Sequence, residues 1–467
     1  MEGLEKWIAD ASDFVWGVPL LVLLFGTHLF LTFRLRFIQR YLGKAIRISL
    51  TRKREGQGDI SQFGALVTAL AATIGTGNIV GVSSAVAAGG PGAVLWMWLT
   101  GVFGIATKYS EALLAVHYRV RMPNGQMAGG PMYALQRGMK CRWLGIVFAI
   151  FTAIAAFGIG NMVQANSISS LIDETFRQKP ESQGNGLLCF LYSVWLGVPA
   201  IKWITGLAVT ALTAVVILGG IRWIAGVCGA LVPFMAIFYV AGCIILLAMK
   251  YATIPDTVVL IFRGAFTGQA AMGGFLGAGM KEAIRFGIAR GLFSNESGLG
   301  SAPIVAAAAQ TPNPVRQALV SSTGTFWDTV VVCAITGLVV VNGGQWIQGL
   351  DAAALTKATF QDFPIIGPLI LAVGLLTFVF STILGWSYYG EKAVEYLLGT
   401  GAIRYYRYLW VAAVMIGSVT TVKTVWNFAD IANACMAIPN LISLIALNGV
   451  IVALTRKYLW TDNGRQP

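Results

Sequence analysis

Apolar residues run along this chain in long unbroken stretches separated by short polar segments, instead of alternating at the period of a strand. A stretch of about 20 apolar residues is long enough to cross the hydrocarbon core of a bilayer as a helix. Eleven such stretches occur, at 14–33, 60–86, 92–116, 143–170, 201–219, 226–249, 257–280, 318–342, 365–391, 405–424 and 428–454. The segment 184–200 is apolar but short and reads as an interfacial or re-entrant piece of a loop. The pattern predicts an all-α integral membrane protein with eleven transmembrane helices.

Two of the stretches differ from the rest. The second contains Ala72-Thr73-Ile74-Gly75-Thr76-Gly77-Asn78-Ile79-Val80-Gly81, and the seventh is glycine-rich over 271–279. Glycine weakens helix continuity, and unwound backbone at membrane depth survives only inside protein or against a wet cavity. Close helix packing through small residues is the plain alternative, because Gly77–Gly81 and Gly273–Gly277 both fit GxxxG spacing. The two segments, however, open successive five-span sets of opposite orientation. Paired interrupted helices at corresponding positions of inverted repeats point to a transporter's central site.

Composition agrees with the bilayer. Of 467 residues, 56% are hydrophobic and 11% charged, whereas a soluble domain carries about 25% charged residues. The net charge of +13 would suit nucleic acid, but its placement argues otherwise. Arg34 to Arg54, Arg119 to Arg142, Arg222, then Lys281, Arg285, Arg290 and Arg316, then Lys392, Arg404, Arg407 and the C-terminal Arg456, Lys457 and Arg465 all fall on one side of an alternating eleven-span chain. The other side receives little beyond Lys6, Arg177, Lys179, Lys202, Lys250 and Lys357. Basic loops stay cytoplasmic, so the N-terminus is expected outside, the C-terminus inside, and no nucleic-acid partner is expected. Met1–Asp13 carries Glu2, Glu5, Asp10 and Asp13 ahead of the first apolar run, so no cleavable signal peptide is expected.

Enzymatic chemistry finds no footing. The six cysteines are scattered without a CxxC pair and there are two histidines, His28 and His117, which leaves no multi-His or thiolate metal site. Gly75–Gly81 is GxGxxxG within a span, not a dinucleotide fingerprint after a strand, and no phosphate loop or nucleophile elbow is present.

Long motifs carry a resemblance. Gly75-Thr76-Gly77-Asn78-Ile79-Val80-Gly81-Val82, continuing through Gly89-Gly90-Pro91-Gly92-Ala93 and Trp96-Met97-Trp98 to Ala106-Thr107-Lys108-Tyr109-Ser110-Glu111, closely resembles the alanine or glycine:cation symporter family. So do Arg290-Gly291-Leu292-Phe293-Ser294-Asn295-Glu296-Ser297-Gly298-Leu299-Gly300-Ser301-Ala302-Pro303 and Met436-Ala437-Ile438-Pro439-Asn440. The resemblance covers about Asp59 to Thr455. It implies a LeuT-type core of two inverted five-helix repeats, at 59–250 and 251–455, preceded by an extra helix and basic linker over 1–58 and followed by a tail over 456–467. It also implies sodium-coupled uptake of alanine or glycine in a bacterial or archaeal cytoplasmic membrane, by a single chain without an organic cofactor. The loop 177–200 looks longer than the family's usual one.

A small zwitterion needs donors for its carboxylate, acceptors for its ammonium and a small apolar wall. The stretch Gly75, Thr76, Gly77 and Asn78 offers amides at the start of a half-helix, which favour a carboxylate, and Phe275 is a candidate for the wall. Asn161 and Gln164 share a helix face at i, i+3; interhelical hydrogen bonding is the alternative, and the resemblance raises Gln164 as a substrate contact. Ser381 and Thr382 read as back-bonded hydroxyls or, by the resemblance, as sodium ligands beside the carbonyls of Ala71, Ile74 and Phe378, with Thr382 also near substrate. Trp386, one turn on, is a candidate cap for the pocket. Lys108 and Glu111 are expected to pair or to meet loop residues. Asp328 reads as helix-packing polarity or, alternatively, as a proton relay, and Glu296 as a cytoplasmic residue near an inner gate. The rivals are a channel or sensor on the same fold and a proton-coupled symporter.

Overall fold

The computed structural model describes residues 10–11, 14–51, 55–177, 193–266, 279–420 and 423–461. The main helices are α1 (Val18–Arg34), α2 (Gln62–Thr73), α3 (Val80–Gly89), α4 (Ala93–His117) and α5 (Arg142–Asp173). They continue as α6 (Ala200–Leu218), α7 (Ile221–Met249), α8 (Ile254–Phe266), α9 (Met280–Asn295) and α10 (Pro303–Ala306). The last are α11 (Pro314–Gly343), α12 (Ala352–Gln361), α13 (Ile366–Leu398), α14 (Ile403–Val419), α15 (Lys423–Ala446) and α16 (Asn448–Thr455). Among the described residues, six helices are long and apolar enough to cross a membrane unaided, and up to seven with the bent pair that begins with α1. The protein is thus an all-α membrane protein. Among the described residues its strands are confined to two small hairpins, Val120–Arg121 with Met127–Ala128 and Val194–Trp195 with Val198–Pro199. The second lies in the described end of the long loop and leads into α6; residues 178–192 lie outside the described set.

Local chemistry starts the helices where they are needed. The Ser61 hydroxyl accepts from the Gly64 amide at 3.0 Å to begin α2. Asn313 caps α11 ahead of Pro314 through the Arg316 amide at 2.9 Å, and Asp351 caps α12 through the Ala354 amide at 2.8 Å. Each side chain takes a backbone donor that the helix itself leaves without an acceptor.

α4 packs along α9 and α11, with α1 laid against it, while α13 packs along α5 and α7 and α15 packs along α5. Between these groups lies the predicted break of the second span: α2 ends at Thr73, the chain makes a short tight turn at Thr76–Asn78, and α3 starts at Val80.

The seventh predicted span, 257–280, is described only at its two ends. The glycine-rich segment 271–279 lies almost wholly outside the described residues, but its flanks are informative. A Cβ on Gly92 would lie 2.3 Å from the Gly264 carbonyl, and one on Gly89 would lie 3.0 Å from that of Glu282. Residues 264 and 282 thus meet the same corner between α3 and α4. Beyond that corner α9 runs to Asn295, the helix breaks at 296–302, and it resumes at α10. Glu296, Gly298 and Gly300 have φ values of 53°, 92° and 86° there, a left-handed region in which a helix cannot continue. Lys281, Arg285 and Arg290 lie on α9, which starts at that corner, away from the end where Arg119 bonds to Ala307. The long polar run 294–301 hides this break in the sequence, since it lowers the local hydropathy below that of its apolar neighbours.

Candidate functional site

The break at 74–79 exposes backbone groups in a definite pattern. In a continuous helix the Gly75 amide would bond to the Ala71 carbonyl and the Asn78 amide to that of Ile74. Here the Gly75 amide donates to Asn78 Oδ1 at 2.8 Å and the Asn78 amide to the Gly75 carbonyl at 3.2 Å. The Ala71 and Ile74 carbonyls are released by these two exchanges. Both are taken up by α13: Ser381 Oγ donates to Ala71 O at 3.1 Å and Thr382 Oγ1 reaches Ile74 O at 3.4 Å. The same hydroxyls lie 2.8 and 3.0 Å from the Phe378 carbonyl. Five oxygens from Ala71, Ile74, Phe378, Ser381 and Thr382 therefore converge in a buried spot, an all-oxygen donor set of the kind hard cations prefer. Gly75 makes this approach possible, since a Cβ there would sit 2.6 Å from Thr382 Oγ1.

On its other side the same turn forms the floor of a chamber of about 930 Å³. Thr76 and Gly77 line it, with Ser167 and Ile168 of α5, Phe293 of α9 and Leu375 of α13. Among the described residues the Thr76 and Gly77 amides have no acceptor outside the turn, so they are available to an anionic group arriving from the chamber. Gln164 precedes Ser167, Ile168 and Leu171 of the chamber wall by 3, 4 and 7 residues, which puts it on the same helix face. Its Nε2 donates to the Ile159 carbonyl at 2.9 Å while Oε1 is buried without a partner among the described residues.

Three predicted contacts sit elsewhere. Asn161 donates to the Trp410 carbonyl of α14 at 2.9 Å, so it joins helices. The widened turn Gly158–Met162 adds a residue and rotates Asn161 off the face of Gln164. Asn78 is fully buried and commits both polar ends inside the protein, Oδ1 to Gly75 and Nδ2 to Asp328 Oδ1 at 2.7 Å; it shapes the turn. Trp386 lies 1% exposed beneath the floor, packed on Gly160 and turned toward Glu296, so it closes the site from the side away from the chamber. Phe275 lies outside the described residues.

Asp328 also accepts from Ser294 Oγ at 2.9 Å and Thr329 Oγ1 at 2.7 Å. It ties the first break to α9 and α11, a role the isolated acid in the sequence did not reveal. Glu111 serves the second break: Oε1 accepts from the Gly298 and Gly300 amides at 2.9 and 3.1 Å and from Asn440 Nδ2 at 2.7 Å. Asn440 Nδ2 also donates to the Gly298 carbonyl at 2.9 Å. Glu111 thus meets loop residues as expected, while Lys108 forms no ion pair or hydrogen bond through Nζ among the described residues.

The end away from the chamber is shut. Arg119 donates to the carbonyls of Ala307, Ala309 and Gln57 at 3.0, 2.8 and 2.8 Å, and the Asp59 and Ile60 amides bond to the Ala308 carbonyl. Burial pushes the Asp59 carboxyl above its ordinary value, opposed by its hydrogen bond from the Met127 amide.

Comparison with known proteins supplies a family and a fold. A family model described as "Sodium:alanine symporter family" matches residues 1–466. The chain is 48% identical over 462 residues to "Sodium/alanine symporter AgcS" of Methanococcus maripaludis, covering 97% of this chain and 96% of that one. It is 33% identical over 466 residues to "Probable sodium/glutamine symporter GlnT" of Bacillus subtilis, covering 97% and 91%. Among solved structures it resembles MhsT in complex with L-phenylalanine, with a TM-score of 0.57 and 13% identity over 88% of this chain and 91% of that one, a likeness of fold.

Proposed function

The chain belongs to the sodium:alanine symporter family, and from that premise we infer that it is a secondary transporter that moves alanine with sodium by alternating access. It is a transporter and not an enzyme. Glycine is a further substrate in this reading. The crossings number eleven: α1, then α2 with α3, α4, α5, α6 and α7, then α9 with α10, α11, α13, α14 and α15. α2 approaches its break from the Arg119 end and α9 approaches its break from the chamber end, as inverted repeats require. The protein works as a single chain in a bacterial or archaeal cytoplasmic membrane, N-terminus outside and C-terminus inside. The chamber then opens outward.

The substrate carboxylate is held at the amides of Thr76 and Gly77, with Gln164 Oε1 as an acceptor near the ammonium and Phe293 against the small side chain. Sodium is held by the carbonyls of Ala71, Ile74 and Phe378 and the hydroxyls of Ser381 and Thr382. The release of the Ala71 and Ile74 carbonyls toward those two hydroxyls, at the turn whose amides floor the chamber, is the observation that carries the proposal. It also explains coupling. Sodium clamps α2 to α13 and fixes the turn that binds substrate, so each ligand favours the other. Once sodium leaves, α2 is free of the clamp, and the seal between 57–60 and 307–310 can part.

The test is uptake of labelled alanine into proteoliposomes with sodium and proton gradients imposed separately. A sodium gradient alone is expected to drive accumulation, and a proton gradient alone is not. Accumulation driven by protons without sodium would favour the Asp328 relay and sink this reading.

A further inference from the structure

Arg290 lies on α9 three residues before Phe293, whose ring packs beside Gly77 in the floor. At 1.5 Å per residue it stands about 4.5 Å above the floor along the helix axis. Its side chain lines the chamber, and among the described residues the guanidinium has no ion-pair or hydrogen-bond partner. Two other charged residues line the chamber, Asp351 and Lys357 of the α12 segment. Asp351 already accepts from the Ala354 amide at 2.8 Å, and Lys357 has no partner among the described residues. Among the described residues the wall therefore offers two cations without an ion-pair partner, and Arg290 is the one on the helix that brings Phe293 to the floor.

An ionised side chain at membrane depth is costly and marks a substrate pathway. A guanidinium presents a planar fork of donors that matches a carboxylate. We propose that Arg290 forms a capture site for the α-carboxylate of the incoming amino acid, close above the floor, from which the substrate descends to the Thr76 and Gly77 amides. The proposal rests on the transport reading above. The chamber is far larger than alanine and cannot hold it by shape; a fixed cation gives the zwitterion a place and an orientation, carboxylate first. Capture precedes binding at the floor, so Arg290 governs how readily substrate arrives and leaves turnover of the filled site alone.

Alanine uptake into proteoliposomes at a fixed, saturating sodium gradient tests this, with ionic strength varied by choline chloride. Wild-type uptake at low alanine is expected to fall as salt screens the attraction. Arg290→Gln should raise KM about 10-fold, keep kcat within about twofold, and lose the salt dependence. Arg290→Lys should keep the salt dependence and recover part of KM. An unchanged KM in Arg290→Gln overturns the proposal, as does a wild-type salt slope in that variant. So does an Asp351→Asn variant that raises KM equally, since Arg290 would then be serving that side chain. Should Arg290→Gln be inactive, the Lys variant decides, because loss of the salt slope with the charge retained also overturns it. Absence of any sodium-driven alanine uptake by the wild type would instead defeat the transport reading.

Discussion

Two broken helices meet in this molecule, and they handle their freed backbone in opposite ways. At 74–79 the released carbonyls meet two hydroxyls and the Thr76 and Gly77 amides face an open chamber. At 296–302 the Gly298 and Gly300 amides are already held by the carboxylate of Glu111, and the Gly298 carbonyl by Asn440. Both breaks satisfy the demand that buried backbone be hydrogen-bonded. One leaves part of that demand to ligands, while the other is fastened by the protein's own side chains. In the proposed transport cycle the first break is the one that receives the substrate carboxylate, and the second stays fastened. The glycines follow suit. A Cβ on Gly77 would lie 3.4 Å from Phe293, an ordinary contact. Gly298 and Gly300 have positive φ, and a Cβ on either would lie 2.6 or 2.8 Å from its nearest neighbour, which leaves no room for any side chain.

The largest effect is expected at the open break. Gly77→Leu should abolish uptake while Gly77→Ala retains it, because one carbon fits beside Phe293 and four would fill the floor. Membrane insertion should be normal in both. Sodium-driven transport by the Leu variant at wild-type rates would show that the turn is not the substrate site.

A smaller and different effect is expected at the fastened break. Glu111→Ala strands three buried donors, each worth about 1–3 kcal/mol. It should lower the thermal midpoint and cut maximal uptake roughly 10- to 100-fold, leaving the half-saturating sodium and alanine concentrations within about twofold, since Glu111 touches neither ligand. A selective rise in either half-saturation, with stability intact, would erase the distinction between the two breaks.

The sequence revealed the two breaks unequally. Gly75-Thr76-Gly77 stands out against an apolar span, so the first break and the two hydroxyls of α13 that meet it could be located by residue number. The second break lies in Ser294-Asn295-Glu296-Ser297-Gly298-Leu299-Gly300-Ser301, where a glycine pair and a following Pro303 mark an interruption and a restart. Its polar residues disguised it as a loop, because hydropathy counts each polar group as exposed. In the fold several of them are buried and paired: Ser301 Oγ donates to Glu296 at 2.5 Å, the Ser297 amide to Asn295 Oδ1 at 2.9 Å, and Ser297 Oγ lies 3.1 Å from Thr325 Oγ1. The bond from Asn161 to the Trp410 carbonyl was hidden for another reason, a one-residue widening of its helix that periodicity cannot foresee. The carboxylate of Glu111 reaching the second break across 187 residues of chain is likewise invisible to spacing.

The central claim is that the carbonyls freed at the first break and the two hydroxyls of α13 hold the coupling ion. Uptake measured against sodium at several fixed pH values, for wild type and for Ser381→Ala combined with Thr382→Ala, tests it most directly. Removing two of five oxygens should raise the half-saturating sodium concentration roughly 5- to 150-fold and leave the pH dependence as in the wild type. Wild-type sodium dependence in the double variant would contradict the account.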